Sequence, residues 1–242
     1  MARAKRASGL RRAMPRPTVL VTGGTRGIGR EVVRQLCESW RVVVGGTSAE
    51  AVAAVVDDCP DAVGFVCDLT DEDAVAVAVA ELGSVDAVVH SAGVVGYGSV
   101  EDTRREDWRR VMEVNVVAVA DLTRLLLPSL REASGTVVVV NSGSGFNAGP
   151  NGAVYAASKF AVRAWADALR AEERGAVRVC SVHPGRVDTD MQRELQAAEG
   201  RDYDPSIALT VTSVAKAVAF ALEADADATV ETISVRPSGL RP

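Results

Sequence analysis

The sequence is poor in the residues that bind metal ions or form disulfide frameworks. Its 242 residues include four cysteines and two histidines, and the cysteines form no C-x-x-C pair. Scattered cysteines without a neighbouring histidine are atypical of zinc sites and of disulfide-rich secreted domains. The sequence therefore predicts no metal site, and it predicts free thiols in a reducing compartment, the cytoplasm.

Long apolar runs are also missing. No uninterrupted stretch reaches the roughly 18 residues of a membrane-spanning helix, and no apolar run follows the basic N-terminus as a secretory signal would require. Residues 1–17 carry six Lys or Arg residues and no acid, whereas the whole chain has a net charge of −5. We interpret residues 1–16 as a basic, disordered tail and residues 17–242 as one domain. A basic arm can bind nucleic acid, but the acidic remainder would repel phosphate, so nucleic-acid binding is not expected.

Aromatic residues make up only 4% of the chain, while hydrophobic residues reach 48%. The core must therefore consist of Val, Ala and Leu. Apolar, β-branched runs recur along the chain as TVLVTG, RVVVGG, DAVVHSAG and TVVVVNSGSG. Short runs of this kind are typical of strands buried on both faces, which indicates a parallel sheet covered by helices.

Strand and helix patterns alternate along the chain. The predicted strands lie near 18–22, 41–45, 62–66, 85–89, 135–141, 177–182 and 231–235. The predicted helices lie near 27–39, 48–58, 71–82, 104–127, 153–174 and 211–223, with Pro128 ending or kinking the fourth and an irregular region before the last. This alternation predicts an α/β fold, a single doubly wound Rossmann-type domain whose seven-stranded parallel sheet has helices on both faces. Ligands bind beyond the carboxyl ends of the strands in such sheets.

The first predicted strand leads into the glycine-rich turn TGGTRGIG, residues 22–29. Small residues between a strand and a helix allow backbone N–H groups to approach a pyrophosphate, and the helix N-terminus favours an anion. The spacing differs from the common G-x-G-x-x-G pattern. It resembles the T-G-x-x-x-G-I-G turn of the classical short-chain dehydrogenase/reductase family.

The resemblance implies a nicotinamide cofactor, and the second strand indicates which one. NAD enzymes place a carboxylate after this strand to bind the ribose 2′-OH. Here the strand ends in GGTS, residues 45–48, and the first acid is Glu50. Arg26 could bind a 2′-phosphate, so the sequence predicts NADP(H) in preference to NAD(H). The cofactor-binding residues that the motifs imply are Thr22, Gly23, Thr25, Arg26, Gly27, Ile28, Gly29, Thr47, Asp68, Leu69, Ser91, Ala92, Gly93, Tyr155, Lys159, Pro184, Gly185, Val187 and Thr189.

Three polar residues near these motifs have a structural interpretation beside the functional one. Asp68 could contact the adenine region, as the resemblance implies, or cap the following helix. His90 stands where the family usually has Asn, and we interpret it as a structural substitute that makes one such hydrogen bond. His183 is interpreted as an imidazole packed at the end of a strand.

The chemistry is predicted at Asn115, Ser142, Tyr155 and Lys159. Helical i, i+4 spacing places Tyr155 and Lys159 on one helix face, and Ser142 ends the fifth strand. Judged alone, the Tyr–Lys pair could be a surface pair, and Asn115 could be a satisfied buried amide. With the glycine turn, the four resemble the family's catalytic set, in which the Asn bends its helix and holds a water on a proton relay.

The expected roles follow from acid–base chemistry. A tyrosine has an ordinary pKa near 10, and the neighbouring Lys159 cation would lower the pKa of Tyr155. Tyr155 would then exchange a proton with a carbonyl oxygen while Ser142 donates a hydrogen bond to it. The implied reaction is hydride transfer between NADP(H) and a ketone or secondary alcohol.

The substrate is less well defined. Candidate specificity residues are Val94, Tyr97, Gly143, Ser144, Phe146, Met191 and Leu195. An alternative substrate is a 3-oxoacyl thioester on an acyl carrier protein, for which Arg104, Arg105, Arg109 and Arg110 could form a docking surface or only a solvated helix face. The chain ends without the V-D-G-G sequence common in such reductases. A second alternative is a non-catalytic NADP-binding regulator. The family also implies a homodimer or homotetramer that pairs helices 104–127 and 153–174.

Overall fold

The computed structural model describes residues 16–198, 200 and 202–239, which fold around a seven-stranded sheet. Its strands are β1 (Thr18–Thr22), β2 (Arg41–Gly46), β3 (Ala62–Val66), β4 (Ala87–His90), β5 (Thr136–Val140), β6 (Arg178–Pro184) and β7 (Thr232–Val235). They lie in the order β3-β2-β1-β4-β5-β6-β7, and every neighbouring pair is parallel. The predicted doubly wound parallel sheet is confirmed. Its topological switch point lies between β1 and β4, where a crevice for a ligand is expected.

The connections between strands are mostly helical. The helices are α1 (Gly27–Leu36), α2 (Ala49–Asp57), α3 (Glu72–Leu82), α4 (Arg105–Met112), α5 (Ala118–Glu132), α6 (Ala153–Glu172), α7 (Asp190–Ala198) and α8 (Val211–Leu222). A π-helical segment, Glu113–Val117, joins α4 to α5. The prediction of an irregular region after β6 was wrong in part, because α7 forms there.

The sheet separates two apolar layers. Val19 and Val21 on β1 belong to the cluster that includes Val32 of α1 and Val214 of α8. Leu20, between them, belongs to the opposite cluster with Leu122 of α5 and other residues of α5 and α6. Side chains alternate between the two faces of a strand, and both faces of this sheet are buried. Successive residues of a strand are therefore all apolar.

The sequence predicted that Pro128 ends or kinks its helix. Pro128 does not end it, because α5 continues through it to Glu132. A proline removes the hydrogen bond to the carbonyl four residues earlier, here that of Arg124. Both Pro128 and Arg124 are exposed, so water can bind that carbonyl. Leu126 and Leu130 on the opposite face are fully buried and hold the helix against the sheet.

The predicted basic tail falls almost entirely on residues 1–15, which lie outside the described residues. Over the described ranges, no helix is both long and apolar enough to cross a membrane, and no cluster of three or more His, Cys, Asp or Glu residues could hold a metal ion. All four cysteines are unpaired.

Candidate active site

The glycine turn between β1 and α1 is held tightly against the neighbouring strands. Gly23 has φ +62°, and a Cβ there would lie 2.9 Å from the backbone nitrogen of Ala92. Only glycine fits both the conformation and the space. The Gly24 N–H donates to the Gly45 carbonyl at 2.8 Å, and the Thr22 hydroxyl accepts hydrogen bonds from the N–H groups of Ser91 and Ala92. These bonds join the carboxyl ends of β1, β2 and β4.

The N-terminus of α1 lacks the side-chain cap that α2, α3 and α8 have. Ser48, Asp71 and Thr210 cap α2, α3 and α8 with side-chain oxygens. At α1, Arg26 occupies the cap position without a side-chain hydrogen bond, and no acid stands in the first turn. The first N–H groups of a helix need partners, and their partial positive charge favours an anion. This end of α1 therefore suits a phosphate group.

A cavity of about 380 Å³ extends from this turn to α6. Most of the residues predicted to bind the cofactor line it. They are Thr22, Gly23, Thr25, Arg26, Gly27, Ile28, Gly29, Thr47, Asp68, Leu69, Ser91, Ala92, Gly93, Tyr155, Lys159 and Thr189. The first cavity thus spans the switch point, where a dinucleotide is expected in this fold.

Asp68 lines this cavity without capping α3. Its Oδ1 accepts hydrogen bonds from the N–H and the hydroxyl of Thr70, at 3.0 and 2.8 Å. These bonds lower the pKa of the Asp68 carboxyl. The cap of α3 is instead Asp71, so the capping interpretation of Asp68 was wrong.

Asn115 lies in the π-helical segment and is almost fully buried. Its amide accepts a hydrogen bond from the Val94 N–H at 2.8 Å and donates to the Val94 carbonyl at 2.9 Å. A third bond, 3.0 Å long, reaches the Ser158 hydroxyl on α6. Asn115 therefore connects the loop after β4 to the helix that carries Tyr155 and Lys159.

The Tyr–Lys pair lies where the first cavity meets a second one. Tyr155 lines both cavities, and Lys159 is buried with only 7% of its surface exposed. The Lys159 Nζ lies 5.6 Å from the centre of the Tyr155 ring and donates a long 3.4 Å hydrogen bond to the Val140 carbonyl. Burial lowers the pKa of the Lys159 ammonium to about 8.

The pKa of the Tyr155 phenol is raised. Burial raises it, and the nearby Ser142 hydroxyl partly opposes that rise. The sequence predicted a lowered pKa for Tyr155, and the direction in the structure is the opposite. The physical reason is desolvation, which disfavours the phenolate and the ammonium alike.

The second cavity, of about 550 Å³, lies beside Ser142. It brings together most of the predicted substrate residues and the rest of the predicted cofactor residues. These are Tyr97, Gly143, Ser144, Met191 and Leu195, together with Pro184, Gly185 and Val187. Val94 lines the first cavity instead.

Phe146 is not brought to either cavity. Its ring packs on the His183 ring with centres 4.2 Å apart, and the Arg163 guanidinium lies over it. The His183 Nδ1 is 3.0 Å from the Ser142 carbonyl oxygen, to which it can donate. Phe146 and His183 therefore pack together next to the Ser142 loop. A sequence pattern could not indicate this contact.

Other residues of the second cavity were missed from the sequence. They include Asn147, Arg186, Gln192, Gln196 and Arg236. Arg186 had a signal, since it lies between Gly185 and Val187, which were predicted to bind the cofactor. For Arg236, the sequence signal was that the segment around it lacks the V-D-G-G sequence common in 3-oxoacyl-thioester reductases.

His90 is buried and forms one hydrogen bond, from Nε2 to the Thr123 hydroxyl at 2.8 Å. Thr123 donates to the Val119 carbonyl, so Nε2 carries the hydrogen. Burial lowers the pKa of His90 to about 4, which keeps the ring neutral. His90 thus joins β4 to α5, and it lines neither cavity.

The predicted carrier-docking arginines are partly used within the protein. Arg104 forms an ion pair with Glu106 at 2.6 Å, with both side chains largely exposed. The Arg110 Nη2 donates to the Val95 carbonyl at 3.1 Å. Exposed pairs of this kind contribute little to stability, as expected of a solvated helix face.

Known proteins resemble this chain in sequence and in fold. The model of the family described as short chain dehydrogenase matches residues 17–200. Dehydrogenase/reductase SDR family member 7B from Bos taurus is 34% identical over 204 residues, which cover 76% of this chain and 62% of that protein. This chain thus spans less than two thirds of that relative's length.

A second relative and a solved structure cover more of their own length. L-fucose dehydrogenase from Bos taurus is 35% identical over 187 residues, covering 74% of this chain and 69% of that protein. A crystal structure of actinorhodin polyketide ketoreductase with NADPH has a TM-score of 0.85 at 27% identity, covering 93% of this chain and 98% of that chain.

Proposed function

The chain belongs to the short-chain dehydrogenase/reductase family, and from this premise we propose that it interconverts a ketone and a secondary alcohol with NADP(H). One observation carries the proposal. Tyr155 stands at the boundary of two cavities, beside Ser142 in one and Lys159 in the other. A proton donor in that position can serve a substrate in the second cavity while a cofactor occupies the first.

The fit to a dinucleotide rests on the uncapped start of α1 at one end of the first cavity and on buried Lys159 at the other. When bound, the reduced nicotinamide supplies the hydride. In ketone reduction the Tyr155 phenol gives its proton to the carbonyl oxygen, and the Ser142 hydroxyl donates a hydrogen bond to that oxygen. Lys159 would donate to the ribose hydroxyls of the cofactor and, as an ammonium, favours the phenolate that remains. Asn115 holds the Val94 backbone and α6 in place through its three hydrogen bonds.

The preference for NADP(H) is proposed from charge. Thr47, which follows β2, lines the first cavity together with Arg26, and residues 45–48 include no carboxylate. A 2′-phosphate at this position would meet the Arg26 cation, and residues 45–48 would not repel it. The structure of a ketoreductase with NADPH supports this choice.

The Tyr155→Phe variant tests the proposed chemistry. General acid–base catalysis contributes about 10²- to 10⁴-fold, so kcat for ketone reduction should fall by at least about 10²-fold. NADPH binding, followed by its fluorescence, should change little because the phenyl ring is kept. Tyr203→Phe is the matched control, since the Tyr203 hydroxyl binds Asp188 outside both cavities.

The assay measures NADPH oxidation over a panel of ketones, quinones and 3-oxoacyl thioesters. Near-wild-type turnover by Tyr155→Phe would refute the role of the phenol. Binding of NADPH without turnover of any member of the panel would instead support a cofactor-binding regulator. Turnover of thioesters alone would identify a 3-oxoacyl-thioester reductase.

A further inference from the structure

The second cavity has an unusual charge for this protein. The whole chain has 32 acidic and 27 basic residues. Among the described residues that line the cavity, Arg186 and Arg236 are the charged ones, and none is a carboxylate. An acidic protein thus presents a locally positive surface beside Ser142 and Tyr155. Such a surface favours an anionic ligand.

Arg236 is fixed by hydrogen bonds from one of its nitrogens. It follows β7, at the carboxyl edge of the sheet where ligands bind in this fold. Its Nη1 donates to the carbonyls of His183, at 2.5 Å, and Val235, at 3.2 Å. The side-on edge, formed by Nε and Nη2, has no hydrogen-bond or ion-pair partner among the described residues. That edge offers two parallel N–H donors, which match the two oxygens of a carboxylate.

Two glycines leave room for this guanidinium. A Cβ at Gly143 would lie 3.4 Å from the Arg236 Nη2, and a Cβ at Gly185 would lie 3.4 Å from its Cδ and 3.0 Å from the Pro237 ring. Gly143 directly follows Ser142, so the guanidinium lies against the residue next to the predicted hydroxyl donor. The same His183 that accepts from Arg236 contacts the Ser142 carbonyl oxygen through its ring.

We propose that Arg236 binds the carboxylate of the substrate, which is therefore an oxo acid or the corresponding hydroxy acid. This inference rests on the proposed function. The carboxylate would bind the Nε–Nη2 edge while the carbonyl oxygen lies against Ser142 and Tyr155. Arg186, which also lines this cavity, adds positive charge. With a neutral ketone bound, the Nε–Nη2 edge of Arg236 would hydrogen-bond to water instead.

The test compares oxo acids with their methyl esters, which keep the carbon skeleton and remove the charge. The pairs are 3-oxobutanoate and 4-oxopentanoate with their methyl esters, assayed by NADPH oxidation with the full chain. The variants are Arg236→Gln and Arg236→Lys. Arg174→Gln is the matched control, because Arg174 precedes β6 at the opposite edge of the sheet and lines neither cavity.

In the wild type, kcat/KM should favour at least one acid over its ester. Charge-assisted hydrogen bonds are strong enough that Arg236→Gln should lower this acid-to-ester ratio by about 10- to 100-fold, chiefly through KM. Arg236→Lys should restore part of the ratio, and Arg174→Gln should leave it unchanged. A wild type that prefers the ester in every pair, or a ratio unaffected by Arg236→Gln, would overturn the proposal.

Further arms separate this proposal from the proposed function and from a phosphate ligand. If the wild type reduces esters but not acids, the proposed function stands and the role of Arg236 fails. If it reduces neither, the binding of 3-hydroxybutanoate to the NADP⁺-saturated protein is measured by calorimetry. Weaker binding by Arg236→Gln than by the wild type supports the carboxylate site. Equal binding by the two proteins, or no binding by the wild type, overturns it. If Arg236→Gln lowers kcat/KM for a thioester of phosphorylated pantetheine but not for the dephosphorylated thioester, Arg236 binds phosphate. That result would overturn the proposed carboxylate site.

Discussion

Cofactor binding should be coupled to proton uptake by Lys159. Burial lowers the pKa of this ammonium from 10.5 to about 8, and its hydrogen bond to the Val140 carbonyl is long at 3.4 Å. An anionic cofactor with ribose hydroxyls close to Nζ would favour the charged amine and raise its pKa again. Between these two pKa values the free protein lacks a proton that the complex holds. Binding must therefore take up a proton in this pH range.

The size of the effect follows from the two pKa values. With a pKa of about 8, about a tenth of the Lys159 side chains are protonated at pH 9 and about nine tenths at pH 7. If binding restores the ordinary pKa, uptake should approach about 0.9 proton per site at pH 9 and fall to about 0.1 at pH 7. A phosphate, with a second pKa near 6, is already fully ionised at pH 9 and adds nothing there.

The measurement is calorimetric titration of NADP⁺ in buffers with different ionisation enthalpies, at pH 7 and pH 9. The Tyr155→Phe variant serves as the background, because its side chain cannot release a proton. The control adds Lys159→Arg, whose guanidinium stays charged at both pH values. Equal uptake at the two pH values, or uptake at pH 9 that persists in the double variant, would refute the reasoning.

Three further outcomes are expected. Thr47→Asp, which adds an acid to the first cavity, should lower the ratio of kcat/KM with NADPH to that with NADH by at least about tenfold; an unchanged ratio would contradict the predicted 2′-phosphate position. Asn115→Ala should lower the free energy of unfolding in urea by about 2–4 kcal/mol, because the Val94 N–H and carbonyl lose their partner; a loss below about 1 kcal/mol would show that water replaces the amide. We also propose a homo-oligomer that buries Phe160, which lies on α6 with 42% of its surface exposed. The Phe160→Glu variant should then reduce the mass measured by light scattering, and the control Val77→Glu on α3 should leave it unchanged.

The fold was predictable because its determinants are local. Runs such as TVLVT and TVVVV specify strands buried on both faces, and Leu20 packs into one apolar layer while Val19 and Val21 pack into the other. The glycine turn was equally clear from the spacing of its glycines. The structure gives the reason for Gly23, which combines a positive φ with contact to Ala92. These requirements depend on residues close in the chain or on one strand neighbour.

Predictions that required tertiary context were less accurate. The segment that forms α7 was predicted to be irregular, yet Arg193 forms ion pairs with Asp188 and Asp190 there. Pro128 remains helical because its exposed face can give up one hydrogen bond while Leu126 and Leu130 hold the buried face. Both outcomes depend on partners or burial that a linear pattern does not specify.

The sequence by itself determined the doubly wound sheet, the glycine turn and the order of Asn115, Ser142, Tyr155 and Lys159, because these follow from periodicity and motif spacing. Only the tertiary structure decided the electrostatics around them. Burial raises the pKa of Tyr155 and lowers that of Lys159, and β7 brings Arg236 to the Ser142 loop from 94 residues away in the chain. Desolvation and long-range contacts depend on the packing of the whole sheet, which no short stretch of sequence encodes.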